Sequence, residues 1–253
     1  MQCIICESAT TAAFDKSLND QTVRYFECTT CGHLTATEFD ADALYSQDEY
    51  FDLIDAGWER RNERILRYVN AAQALPGIKL KKGSEILDFG CGVGKLVDLL
   101  VEHGFEASGY EPFPNQPVTS LRIETDPAAL DAMNGRFQLV TMVEVVEHLR
   151  DPDDVLDTVG DLLRPRGYLL TSTDLYRPGT HEDDWYYLNP AAGHVSIFTE
   201  ASLRRLVQRH QFVPVFRMTQ DVWLFRRTDG RGLDLDRLYF LPSQLRVRLT
   251  ALS

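Results

Sequence analysis

The chain has 253 residues, of which 44% are apolar and 25% charged. That composition is globular, and it excludes a disordered or collagen-like chain. The net charge is −12, yet residues 201–253 carry 10 Arg against 4 Asp. An acidic body of this kind argues against a broad nucleic-acid footprint, and the basic end reads as a solvated surface. No run reaches the roughly 18 apolar residues that span a bilayer, and the first residues do not read as a secretory leader. A cytoplasmic protein is the expectation.

In chain order, the first feature is cysteine. Cys3-x2-Cys6 and Cys28-x2-Cys31 form two knuckles, and Gly32 follows the second. Two residues between thiolates let one tight turn aim both at a tetrahedral ion, so the spacing predicts a four-cysteine zinc ribbon. Disulfides or redox dithiols fit a cytoplasmic chain less well. A closed site of four thiolates has no open coordination position, which gives the zinc a folding role and no catalysis. Residues 1–40 are assigned to this module. Thr22–Cys28 alternates as a strand.

Residues 41–55 read as an acidic connection with aromatic anchors. Apolar spacing predicts a helix over 56–75, ended by Pro76-Gly77. From residue 84 strands and helices alternate. Strands are predicted at 86–89, 105–110, 118–123, 137–143 and 167–172. Helices are predicted at 96–103, 126–133, 151–163 and 199–210. Residues 212–218 and 222–227 read as a hairpin. The pattern is α/β: a doubly wound, mostly parallel sheet with a C-terminal antiparallel hairpin, over 41–228. Residues 229–253 form a tail of open role.

The sharpest signal in this region is Leu87-Asp88-Phe89-Gly90-Cys91-Gly92-Val93-Gly94. A strand enters a glycine turn and then a helix, at the strand end where doubly wound sheets bind ligands. The third glycine stands one position early for a dinucleotide loop, and no Gly-Lys-Ser/Thr completes a phosphate loop. Asp88 would repel a pyrophosphate but suits an ammonium group. Glu111, about 20 residues on at the end of the second strand, can accept both hydroxyls of a ribose. An amino-acid nucleoside without phosphate, such as S-adenosylmethionine, satisfies both.

With these residues in place, the sequence resembles the class I S-adenosylmethionine-dependent methyltransferases from about residue 56 to 228. Four blocks carry the resemblance: the glycine loop, Glu111, Phe137 to Leu149 with its Glu144-Val-Val-Glu147-His148-Leu string, and Leu162 to Leu170. The string is similar to the branch that holds quinone and sugar methyltransferases, parts of which carry a cysteine-rich N-terminal module. Gln138 departs from the Asp common at the start of the fourth strand. The resemblance implies cofactor contacts from Asp88, Gly90, Gly92 and Glu111, from Thr125 or Asp126, and from Met142, Val143 and Glu144. Core packing is the competing reading for Met142. Cys91 reads as a packing residue.

Methyl transfer from a sulfonium needs donor and acceptor held in line, and a base only where the acceptor is protonated. Candidate acid–base groups are His194, His148 and Glu147. Trp185, Tyr186 and Tyr187, in a segment over the expected site, could stack on a flat or sugar-like acceptor. The expected activity is O- or C-methylation of a small molecule: a sugar, a quinol or a secondary metabolite. The alternatives are an enzyme acting on RNA or protein and a non-catalytic scaffold. A homodimer contact through the ribbon stays open.

Overall fold

The computed structural model describes residues 1–39, 57–114 and 120–228. The expected connection at 41–55, the start of the expected third strand at 118–119 and the tail at 229–253 lie outside these residues.

Two sheets organise the chain. The larger has seven strands in the order β10-β11-β8-β7-β4-β5-β6. These are β4 (Glu85–Phe89), β5 (Glu106–Tyr110), β6 (Ile123–Glu124), β7 (Phe137–Val143), β8 (Leu163–Ser172), β10 (Phe212–Arg217) and β11 (Val222–Arg227). Strands β8, β7, β4, β5 and β6 are parallel, and β11 and β10 close the far edge antiparallel. The expected doubly wound sheet with its hairpin is therefore present. Within the expected third strand, Leu121 and Arg122 form a turn, and among the described residues of this segment only Ile123 and Glu124 pair with β5.

Alternation along each central strand divides the core between the sheet's faces. Ile86, Leu139, Leu170 and Leu224 pack with helices α1 (Trp58–Ala72) and α2 (Lys95–Glu102). Leu87, Val140, Leu169 and Phe225 pack with α3 (Pro152–Leu162) and α4 (Glu200–Arg209). Asp151 caps α3 with Pro152 at its first position, and Thr199 caps α4 through a capping box with Ser202. The short helix expected at 126–133 is a 3-10 helix, Pro127–Met133.

The smaller sheet is antiparallel, in the order β1-β2-β3-β9. It joins β1 (Thr10–Leu18), β2 (Gln21–Cys28) and β3 (Leu34–Ala36) to β9 (Ser196–Ile197), which comes from the segment after β8. Leu34 pairs with Ile197 and Thr35 with Ser196. The cysteine module is thus sewn into the chain that follows β8. Thr199 Oγ1 adds a 2.6 Å bond to the Cys31 carbonyl, and Tyr25 Oη donates to the His194 carbonyl at 2.6 Å.

Candidate functional site

The glycine loop leaves β4 at its carboxyl end. Gly90 and Cys91 donate their N–H groups to the Tyr110 carbonyl at 2.8 and 3.1 Å, which ties the loop to the end of β5. Gly90 and Gly92 adopt φ +75° and +52°. A Cβ on Gly90 would sit 2.7 Å from Val145 Cγ2, whereas one on Gly92 would meet nothing within 4 Å among the described residues beyond its chain neighbours. Position 90 needs glycine for closeness, and position 92 borders open space.

Around that space stand the two expected carboxylates. Asp88 is buried, and its Oδ1 accepts from Thr141 Oγ1 at 2.7 Å. Burial pushes its pKa up to about 7, against the Thr141 bond, with Glu111 adding repulsion. Glu111 accepts from Gly92 N at 2.8 Å and from Phe113 N at 3.1 Å. Each of its oxygens keeps a further lone pair for a ligand hydroxyl. The donor set fits an amino-acid nucleoside: a carboxylate for an ammonium, a second for a diol, and a glycine turn between them.

Other expected positions differ in their surroundings. Asp126 caps the 3-10 helix by accepting from Ala128 N at 2.9 Å. Met142 is wholly buried, and its side chain is part of the core. Cys91 packs beneath Gly109, where a Cβ would collide with its sulfur, and burial raises its thiol pKa.

Past β7 the chain makes a sharp turn. Glu144 takes φ +55°, a left-handed conformation that costs a non-glycine residue about 1–3 kcal/mol. Its carboxylate is held by Ser172 Oγ at 2.7 Å and Tyr187 Oη at 3.0 Å. Tyr187 Oη has one hydrogen, which goes to Glu147 Oε1 at the shorter 2.5 Å contact, and it lies 3.1 Å from Thr173 Oγ1. One phenol therefore links two carboxyl groups, and burial raises the pKa of each. His148 Nδ1 lies 3.1 Å from the Gly193 carbonyl, and His194 Nδ1 lies 2.8 Å from the Tyr187 carbonyl. Burial lowers their pKa values to about 4 and about 3, so both imidazoles are neutral at pH 7.

Trp185, Tyr186 and Tyr187 do not act alike. Tyr187 is buried in the carboxyl cluster. Trp185 stacks on His181 with ring centroids 4.0 Å apart, and Tyr186 is exposed and donates to Asp174. These last four residues border a cavity of about 320 Å³, together with Arg64 of α1 and Arg177. Sequence reading missed Arg64, Ser172, Thr173 and Asp174. Position alone could have flagged the last three, since they follow the carboxyl end of β8.

The four cysteines converge as well. Their sulfurs lie within 4.8 Å of one another, with Cys3–Cys31 at 3.7 Å, Cys6–Cys28 at 3.4 Å and Cys6–Cys31 at 3.5 Å. No pair is at the ~2 Å of a disulfide. Four thiolates about 2.3 Å from one ion would stand ~3.8 Å apart, so the cluster fits a tetrahedral metal.

The family with the description "Methyltransferase domain" matches residues 58–215, more than half of the chain. The chain belongs to that family. Within it, the chain is 37% identical over 103 residues to a ubiquinone biosynthesis O-methyltransferase of Cereibacter sphaeroides, covering 36% of this chain and 42% of that protein. It is 30% identical over 104 residues to the protein of the same name from Pectobacterium atrosepticum, covering 36% and 43%. It spans under half the length of these curated relatives. Among solved structures, a phosphoethanolamine N-methyltransferase 2 of Haemonchus contortus, in complex with phosphomonomethylethanolamine and S-adenosylhomocysteine, superposes with a TM-score of 0.52. That match has 13% identity and covers 79% of this chain and 56% of the other, a likeness of fold. No helix among the described residues is long and apolar enough to cross a membrane.

Proposed function

We propose that this methyltransferase moves a methyl group from S-adenosylmethionine to an oxygen or carbon of a small acceptor. One observation carries the reading: Asp88 and Glu111 flank a glycine turn whose Gly92 faces open space. Asp88 would hold the ammonium, Glu111 the ribose hydroxyls, and Asp126 would stand near the adenine. Bound there, the cofactor supplies an electrophilic methyl group. The chain's own part is to align the acceptor and exclude water. Trp185 and Tyr186 offer the acceptor a flat wall beside Arg64 and Asp174. Where the acceptor is a hydroxyl, Glu147, His148 and His194 are the groups that would govern its proton. The ubiquinone-pathway relatives and the small, polar cavity support a small acceptor over a macromolecule. The four cysteines would hold a structural zinc ion.

The test is thermal stability under titration with S-adenosylhomocysteine and, separately, NADH. At about 100 times its dissociation constant a ligand adds roughly 2.7 kcal/mol to the folded state. Stabilisation by the homocysteine nucleoside, lost in Asp88→Ala and Glu111→Ala, is the expected result. Stabilisation by NADH alone would overturn the reading.

A further inference from the structure

The cavity beyond the carboxyl end of β8 is bordered by two cations, Arg64 and Arg177, and two carboxylates, Asp174 and Asp221. Its formal charge balances, but its hydrogen-bonding groups do not. Both carboxylates are already supplied with donors. Asp221 accepts from Thr219 Oγ1 at 2.5 Å and from Arg64 Nη2 at 3.2 Å, and Asp174 accepts from Tyr186 Oη. The donors are left over. The Arg177 guanidinium makes no hydrogen bond or ion pair with a described residue. Arg64 Nε is buried without an acceptor among the described residues. His181 Nδ1 takes the Arg177 backbone N–H at 3.3 Å, and burial followed by the Arg177 charge lowers the pKa of its ring. The imidazole is therefore neutral at pH 7 and carries its hydrogen on Nε2, a third donor. A desolvated donor left unmatched is costly, and a guanidinium can only donate. Position points the same way. Asp174 stands two residues past the end of β8, and β8 neighbours β7, which neighbours β4 and its glycine loop. Adjacent strands lie about 4.8 Å apart, so the cavity is about 10 Å across the sheet from the end of β4. A ligand anchored there can extend over the end of β7 towards the space that Gly92 borders.

We propose that this cavity holds an anionic group of the methyl acceptor, a carboxylate or a phosphate, gripped by Arg177 and by the Nε–H of Arg64. His181 Nε2 adds a further donor, and the stacked Trp185 and His181 rings stand beside the body of the molecule that bears the charge. This role rests on the methyl-transfer reading and narrows the acceptor from any small molecule to an acidic one. The planar fork of a guanidinium matches two oxygens of a carboxylate or phosphate at once, which fixes direction as well as position. No bond is made or broken at this end of the acceptor. Arg177 and Arg64 are positioning residues that hold it while its far end meets the methyl carbon.

The full chain, with and without S-adenosylhomocysteine, is titrated calorimetrically with benzoate, phenyl phosphate, benzamide and benzylamine: two anions, a neutral analogue and a cation. At least one anion should bind at a single site, with benzamide clearly weaker. The tighter anion tells a carboxylate acceptor from a phosphorylated one. Arg64→Gln would also break the pair with Asp221, so exposed Arg177 is the decisive position. Anion binding should weaken about tenfold or more in Arg177→Gln, as expected for a lost charge-assisted hydrogen bond, and less in Arg177→Lys. It should persist in Asp174→Asn, and S-adenosylhomocysteine should stabilise Arg177→Gln as it does the unaltered chain. The proposal is overturned by a chain that binds neither anion, by benzamide binding as well as both, or by undiminished anion binding in Arg177→Gln. Benzylamine binding that is lost in Asp174→Asn would overturn it too, as the mark of a cationic acceptor. Anion binding that depends on Arg177, in a chain that S-adenosylhomocysteine does not stabilise, would sink the methyl-transfer reading and leave the anion site standing.

Discussion

Asp88 is a carboxyl group under tension between burial and ligand. In the unfolded chain it titrates near 4, and in the folded, ligand-free protein burial moves it to about 7. The folded state therefore holds a proton that the unfolded chain releases. The resulting stabilisation is fully present below about pH 4 and is lost as the pH rises through about 7, by up to ~1.4 kcal/mol per pH unit between. Asp88→Asn should remove this slope, and urea denaturation between pH 4.5 and 8 reads it. An unchanged slope in the variant would refute the assignment. Ligand binding should run the other way, because an ammonium favours the ionised carboxylate. Affinity for S-adenosylhomocysteine should rise as the pH is raised toward 7 in the wild type and lose that dependence in Asp88→Asn.

Helix α4 joins a local signal to a distant contact. Thr199 Oγ1 accepts from Ser202 N at 3.1 Å and donates to the Cys31 carbonyl at 2.6 Å. Thr199→Ala loses both, and a lost cap alone costs about 0.5–2 kcal/mol. A fall in melting temperature of several degrees is expected, largely recovered in Thr199→Ser; a variant within one degree of wild type would show that the cap carries no load. The cap was legible in the sequence, as were β4, β7 and the hairpin, because buried strands run apolar and helices keep a 3.6-residue period. The bond to Cys31 was not, since nothing local links positions 168 residues apart. Strand β1 leaves no clear alternation in the sequence, because Thr10–Leu18 is mostly solvent-facing and polar and bends at a bulge near Ala12. Strand β9 is two residues long and pairs only because β3 arrives from the other end of the chain. The site divides in the same way. Asp88, Glu111 and the cysteines are readable from spacing, while Tyr187's bridge between Glu144 and Glu147 exists only once three segments meet.

At the scale of the molecule, the cysteine cluster and the segment that carries His194 meet in one sheet. Strand β3 follows the second knuckle directly and supplies the hydrogen bonds of β9, with Ala36 N donating to the Val195 carbonyl at 2.8 Å. Tyr25 Oη holds the His194 carbonyl, and His33 packs on Phe198 with ring centroids 4.7 Å apart. The stretch is also tied to the turn after β7, through Val195 N to the Glu147 carbonyl at 2.9 Å and Ser196 Oγ to the Leu149 carbonyl at 2.6 Å, while strands β4 and β7 are clamped on both sides by neighbouring strands. If a metal at the four cysteines orders the knuckles, removing it frees β3, and β9 loses its partner. Hydrogen exchange on protein stripped with a thiol-selective chelator should then accelerate at 195–198 and around Tyr25, with 86–89 and 139–143 unchanged. Tyr25→Phe, which keeps the ring but drops the hydroxyl, should give a smaller rise near His194 while retaining the metal. Uniform acceleration across both sheets would mean that the cluster supports the whole fold, and no acceleration at 195–198 would mean that the wall stands without it.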